Sequence, residues 1–448
     1  MSKQHDFTQG NTFRQLVYFS GPIMLTNLLQ VSYQFIDSLW IGNLLGATAL
    51  GAVAISGVIV FTLLSFVIGL NNAALAILSQ QKGKGDDQAL KSFVNAFLVT
   101  LSLLALGLGI FGFYTSEWLL HLLGTPQDMM ADATVYLQIN FIGILFLFGY
   151  NFISTVLRAL GDSKTPLRFV FIAVLLNIVL DPLFIAGFNG GILGAGLATV
   201  VAQGFAFTYG VIYVVKRDLV PFQLPKAPKW HEVKLILHLG IPSGLQMSVI
   251  SAGSAAIMSV VTTFGASVVA GFGAAQRLDS LLMLPAHALS TAVGSMAGQN
   301  IGVKNWKRVS EVSRYGLLYN FSIMAIVGLI VLLFAEYGIK LFITEQDAVA
   351  FGTTYLRVMA FCFPFLGVNF ILNGIVRASG AMYQVLVLNI ISFWVLRYPL
   401  TYAFSHYTGE IGIAYGMGSS FVVSSILASL YFRYGKWRTK DIFEDSKS

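Results

Sequence analysis

Ionisable side chains are expensive inside hydrocarbon, so those that stand there mark ion paths, relays or ligand sites. Asp37, Asp181, Arg277, Asp279, His287 and Arg397 all lie inside long apolar runs, away from their ends. Arg357 is nearer an end, where a long side chain can snorkel to water. Asp37 and Asp181 each lie about seven residues from the end of their run, ~10 Å in from the same face at 1.5 Å per residue. Asn177 precedes Asp181 by four residues and shares its helical face. Thr199 enters its own run at a similar depth. Two carboxylates, an amide and a hydroxyl at one level are all oxygen donors, which suit a hard cation or a proton. A local capping role beside Pro182 is also open to Asp181. His287 could relay a proton, or stay neutral on a backbone carbonyl. Arg277 and Asp279 are two residues apart and point in different directions. Arg397 could therefore pair with Asp279 or with a carboxylate of the first cluster.

The runs that hold these residues define the class of protein. Of 448 residues, 56% are hydrophobic and 10% charged, too few charges to coat a water-facing surface. Ile55–Ser79, Ala96–Tyr114 and Leu317–Phe334 contain no charge at all. About 20 apolar residues cross a bilayer, and the pattern predicts an all-α integral membrane protein of twelve spans. These lie near 15–43, 53–79, 93–115, 134–157, 167–188, 194–215, 236–263, 267–297, 315–338, 352–376, 384–406 and 411–433. The 44 glycines suit closely packed membrane helices. The net charge of +7 does not indicate nucleic acid, because the Lys and Arg residues punctuate the apolar runs. One set of loops carries Lys82, Lys84, Lys91, Arg158, Lys164, Arg168, Lys216, Arg217, Lys226, Lys229, Lys234, Lys304, Lys307, Arg308, Arg314 and Arg377; the alternate set carries only Lys340. That bias predicts both termini in the cytoplasm and a multi-pass chain in the cell membrane. The first run is too long for a signal-peptide core and is expected to remain as a helix. The single cysteine, Cys362, provides no disulfide framework or thiolate metal site. The aromatic residues, with Met247, Met258, Met283 and Met296, suit an adaptable apolar cleft, although such residues also face lipid.

The chain repeats itself. Gly46-Ala47-Thr48 recurs as Gly265-Ala266-Ser267, Gln80 and Gly83 as Gln299 and Gly302, and Arg158 and Gly161 as Arg377 and Gly380. Each landmark moves by the same interval, about 219 residues, so the chain is an internal duplication. The expected organisation is an N-terminal six-helix lobe over 1–215, a cytoplasmic linker over 216–235, a C-terminal lobe over 236–433 and a tail over 434–448. Pro221, Pro225 and Pro228 give the linker an extended character. Two lobes of one orientation imply a pseudo-twofold axis along the membrane normal and a cleft between them. The second lobe lacks the carboxylates: by the 220-residue shift that takes Pro22 to Pro242, Asp37 corresponds to Ile257, and the region matching Asn177–Asp181 reads Val395-Leu396-Arg397-Tyr398-Pro399. Pro22 interrupts the helical ladder of the first span and offers a bend. No metalloprotease pair, phosphate loop or activated nucleophile appears, which argues against an enzyme and against a cofactor.

These residues resemble the multidrug and toxic compound extrusion (MATE) family over nearly the whole chain. The resemblance rests on Gly21-Pro22, Asp37, the Gly46…Gly51 turn, and Arg158-Ala159-Leu160-Gly161-Asp162-Ser163-Lys164-Thr165-Pro166 with its partial echo Arg377-Ala378-Ser379-Gly380. It implies a V-shaped monomeric carrier that exports amphipathic, mostly cationic compounds against inward H⁺ or Na⁺. In the DinF-like branch the cation site lies in the N-lobe, and its residues match Asp37, Asn177, Asp181 and Thr199, with Asn151 matching a fourth-helix asparagine. The NorM-like branch uses acidic residues of the seventh and tenth spans, and 236–263 and 352–376 contain none. The departure points to the DinF-like branch and to H⁺, with Na⁺ coupling or a lipid-linked precursor flippase as alternatives. A flippase would line its cleft with several cations for phosphate, and only Arg277 and Arg397 are candidates.

Overall fold

In a computed structural model, which describes residues 5–223 and 225–443, the chain is helical throughout its apolar runs. In the first half the helices are α1 (Thr12–Leu45), α2 (Ala47–Lys84), α3 (Asp87–Leu122), α4 (Gln127–Ile142), α5 (Ile144–Ala159), α6 (Lys164–Pro182) and α7 (Gly191–Lys216). The second half holds α8 (Trp230–Val261), α9 (Ala266–Leu282), α10 (Leu284–Gly302), α11 (Trp306–Lys340), α12 (Gln346–Ala378), α13 (Met382–Ile390), α14 (Tyr398–Thr408) and α15 (Gly412–Tyr434). Two wider, π-type segments continue α6 over Leu183–Gly187 and join α13 to α14 over Ile391–Arg397.

These helices make twelve crossings. α4 and α5 are one span bent by 49° at Gly143. α9 and α10 are one span interrupted at Met283. The apolar stretch Met382–Tyr434 is 53 residues long, or ~80 Å of helix, far more than one bilayer. It folds back at Gly409, whose positive φ of 72° suits glycine, so that α14 lies against α15. An even number of crossings brings both described ends to one face, called here the terminal face. Residues 1–4 and 444–448, the extremes of the expected first lobe and tail, lie outside the described residues.

The segment between the halves is pinned to α3. Asn95 Nδ2 donates to Lys226 O (2.9 Å) and Asn95 Oδ1 accepts from Lys226 N (3.0 Å). α8 starts at Trp230, six residues before the seventh run, and so includes Glu232. That carboxylate accepts from Lys229 N (3.2 Å) and Ser92 Oγ (2.5 Å). It is a helix-start cap and not a membrane-interior acid. Asp347 likewise sits in the first turn of α12. The Gly-Asp-Ser-Lys-Thr-Pro run is a turn and helix start: Gly161 has φ of 86°, and Asp162 accepts from Lys164 N, Thr165 N and Thr165 Oγ1 at 3.0, 3.0 and 2.6 Å. Gly380, its repeat, has the same φ.

The two halves meet near the terminal face. Gln80 Nε2 of α2 donates to Ala378 O (2.6 Å), and Gln299 Nε2 of α10 donates to Ala159 O (2.9 Å). Each bond is the repeat of the other. Gly83 and Gly302 sit at the same crossing, where a Cβ on Gly83 would overlap Gln299 O and a Cβ on Gly302 would overlap Gln80 O. Small residues therefore let the backbones touch. The amino-terminal segment adds a strap, with Phe7 N donating to Gln299 Oε1 (3.0 Å) and Phe7 O accepting from Asn300 Nδ2 (3.0 Å) and Arg308 Nε (2.6 Å). Among the described residues, no hydrogen bond between halves lies further from this face than Asn72 Nδ2 to Ser243 Oγ (3.3 Å). The apolar core of residues 257–421 at the opposite face belongs to the second half alone, whereas that around Phe7, Phe19 and Val293 is shared. The cleft thus opens away from the terminal face.

Gly302→Val should hold the terminal face apart, because the added side chain meets backbone and not a movable side chain. Spin labels on the two halves at that face should report distances several ångströms longer than in the parent. Thermal unfolding should show a loss of about 1–3 kcal/mol, the usual effect of overpacking.

Candidate functional site

Four helices of the first half converge on one buried polar cluster. α1 contributes Tyr33 and Asp37, α4 contributes Tyr136, α6 contributes Asn177 and Asp181, and α7 contributes Thr199. Asn177 and Asp181 are one helical turn apart, and Asn177 Nδ2 donates to Asp181 Oδ1 (2.9 Å). The Asp37 and Asp181 carboxyls lie side by side, close enough to share a hydrogen bond. Tyr33 stands beside Thr199 and within electrostatic reach of Asp37, and Tyr136 within electrostatic reach of both aspartates. Asp181 and Asn177 are fully buried and Asp37 nearly so. Thr199 Oγ1 bonds back to Ala195 O (3.3 Å).

The cluster is short of donors. Four buried oxygens, Tyr33 Oη, Asp37 Oδ1, Asn177 Oδ1 and Asp181 Oδ2, have no hydrogen-bonding partner, and none of the three ion pairs among the described residues involves either aspartate. Two adjacent carboxylates cannot both stay charged at low cost in such surroundings. A proton bridging them satisfies the two carboxyl oxygens, and a small hard cation coordinated by the carboxylates, the amide oxygen and the phenol satisfies all four. No group of three or more His, Cys, Asp or Glu side chains suited to a multivalent metal occurs among the described residues. The π-type segment begins directly after Asp181-Pro182, and such segments recur at functional sites.

Other candidates fall elsewhere. Asn151 gives Nδ2 to its own helix at Leu147 O (2.8 Å). It lies ~12 Å along α5 from the terminal-face end, whereas Asp181 lies ~26 Å along α6 from that face. The structure therefore does not bring Asn151 to the aspartates; Asn140, next to Tyr136, is the asparagine of that span nearer their level. α1 runs unbroken through Pro22, and Thr26 Oγ1 donates to Pro22 O (2.7 Å). His287 packs its ring on Phe370 at 4.4 Å, near Arg377 and away from both aspartates. Arg277 reaches over Phe342 at 5.8 Å. Asp279 accepts from Tyr355 Oη (3.4 Å), and Arg397 makes no ion pair with it or with the first cluster. Tyr33 and Tyr136 are the members that sequence reasoning missed. Tyr33 is one turn before Asp37 on the same face, a signal within reach; for Tyr136 the signal was its recurrence as Tyr355 at the 219-residue interval.

A duplicated twelve-helix bundle with a cleft open to one face and buried acids in one lobe defines a membrane transporter. A family model described as MatE matches twice, over residues 22–183 and 242–403, and the chain belongs to this family. It is 62% identical over 443 residues to the probable multidrug resistance protein YpnP of Bacillus subtilis strain 168, covering 99% of this chain and 100% of that one. It is 29% identical to the probable multidrug resistance protein YoeA of the same strain, covering 96% of each. Its fold matches a MOP superfamily transporter from Pyrococcus furiosus with a TM-score of 0.92 at 24% identity, over 98% of this chain and 100% of that one.

Asn177→Leu removes the one protein donor on Asp181. Thermal unfolding of the variant should show destabilisation of about 1–3 kcal/mol, the effect of leaving a buried acceptor unmet. A conservative Asn177→Gln should lose less.

Proposed function

We propose that the chain is a secondary antiporter of the cell membrane. It exports amphipathic, mostly cationic compounds through the cleft and is driven by inward H⁺ bound at Asp37 and Asp181. The observation that carries this is the adjacency of those two carboxyls, with unpartnered oxygens around them and, among the described residues, no ion pair to either. The names of the Bacillus relatives support multidrug compounds as the cargo. The loop-charge bias supports cytoplasmic termini, which makes the terminal face cytoplasmic and the cleft outward-facing. The acid-free interiors of α8 and α12 support the DinF-like branch, and a monomer contains every residue that the mechanism uses.

With the cleft open outward, an external proton reaches the pair and neutralises it. The polar cluster then no longer needs to hold two like charges apart, and α1, α6 and α7 can pack more closely. Pro22 gives α1 a point of bending, because its missing N–H leaves the Tyr18 carbonyl outside the ladder. Closer packing narrows the N-lobe side of the cleft and expels the compound. Each charge driven through the membrane adds about 2.3 kcal/mol per 100 mV.

Asp37→Asn or Asp181→Asn should abolish efflux from proteoliposomes under an imposed pH gradient while the protein stays folded, since an amide cannot take up and release a proton. Asp279→Asn should reduce it less. Normal gradient-driven efflux in both N-half variants would exclude the assignment.

A second measurement fixes the ion. Affinity for a cationic dye should fall as pH falls in the parent and change less in Asp37→Asn. If affinity ignores pH and added Na⁺ weakens it, the coupling ion is Na⁺ bound by the same oxygens.

A further inference from the structure

The second half carries its own buried polar cluster, of different charge, which the coupling scheme leaves unused. Tyr355 of α12 follows Tyr136 by 219 residues, so the two tyrosines occupy one position of the repeat. In the first half that position borders two carboxyls. In the second it borders one carboxyl and one guanidinium. Tyr355 Oη donates to Asp279 Oδ2 of α9 (3.4 Å) and accepts from Gln276 Nε2 (3.4 Å). Arg397, at the end of the second π-type segment, lies within electrostatic reach of the same phenol.

Both charged groups are incompletely used by the protein. Arg397 is only 7% exposed. Its guanidinium packs on Phe393 (3.8 Å to the ring centre) and Phe421 (4.5 Å), and its Nε donates to Ser420 Oγ (3.2 Å). The Ser420 hydroxyl is itself tied to Met417 O (2.6 Å), which fixes the acceptor. The Nη groups of Arg397 find no protein acceptor and are not sealed from space outside the protein. Asp279 Oδ1 is buried with no donor. A guanidinium held against two rings with its forked N–H groups open is built to take a planar oxyanion. A carboxylate with one unmet oxygen is built to take an N–H or a cation.

We infer that Arg397, Tyr355 and Asp279 form a second binding site, for the carboxylate and the cationic end of an aromatic zwitterion. Phe393 and Phe421 hold the guanidinium that takes the carboxylate, and Gln276 donates to the phenol beside both charged groups. The first half, with two acids and no base, has no group for the anionic end. The site thus extends the range of compounds from cations to zwitterions. This assignment rests on the transport reading above, but its test does not need a gradient.

The probes are the unalkylated diamino rhodamine acid, a zwitterion, and its methyl ester, a cation on the same rings. Equilibrium binding of each to the purified full-length protein is read by fluorescence polarisation. Arg397→Gln should lower the acid-to-ester affinity ratio at least about tenfold, a change of ~1.4 kcal/mol. Arg397→Lys should recover only part of it, because an ammonium lacks the planar fork. Asp279→Asn should weaken both probes and leave their ratio near the parent value. Thermal melting identifies any variant that is unfolded, and Arg397→Lys then carries the comparison alone. The proposal is overturned if the ratio stays constant in the Arg397 variants, or if the parent does not bind the acid. Gradient-driven efflux of the ester from proteoliposomes tests the transport reading separately, since it can fail while the ratio still shifts.

Discussion

Two helix backbones touch where α2 crosses α10 and again where α2 meets α8 at Gly69 and Gly244, and the cleft opens beyond that second approach. Gly83 and Gly302 permit the first contact, and Gln80 and Gln299 then exchange hydrogen bonds with Ala378 and Ala159 of the opposite half. Side-chain amides bonding backbone carbonyls across a crossing are directional, so the contact also fixes the register of one half on the other. The pairing is symmetric, because each partner is the repeat of the other. A single duplicated sequence feature thus closes one face with two equivalent bonds, and the Phe7 strap has its own counterpart in Lys226, 219 residues on, whose backbone is held by Asn95.

The same duplication was elaborated differently in the outer part of each half. Hydrocarbon penalises unmatched polar groups on both sides alike. In the first half Asp37, Asn177 and Asp181 gather around Tyr33 and Tyr136, and acceptors outnumber donors. In the second, Arg397 is stabilised by two aromatic rings and a hydroxyl, and Asp279 by a phenol. One lobe is left wanting a positive species, and the other offers both signs. Both clusters adjoin a π-type segment in the fifth span of their half, where the wider turn loosens the regular ladder and re-aims the side chains around it.

The twelve spans, their duplication and the depth of Asp37 and Asp181 were legible without coordinates. Each follows from a one-dimensional rule: apolar length sets a crossing, a constant interval sets a repeat, and 1.5 Å per residue sets depth. The start of α8 was misplaced by six residues because Trp230–Leu235 mixes charged and apolar residues, and its helix is held by Glu232 capping and by Ser92 on another helix. Asn151 was grouped with the aspartates through family likeness, although its depth along α5 sets it apart.

Which groups meet was decided by tertiary structure alone. Sequence spacing establishes that Asn177 and Asp181 share a face, because both belong to one helix. It contains nothing that rotates α4 to bring Tyr136 near Asp37, or that sets Arg397 against Phe393 and Phe421 and not in an ion pair with Asp279. Those choices depend on the azimuth of each helix in its bundle, which is set by packing against several neighbours at once. The apolar runs of a membrane helix carry little amphipathic signal to report it, since lipid and protein interior are equally apolar.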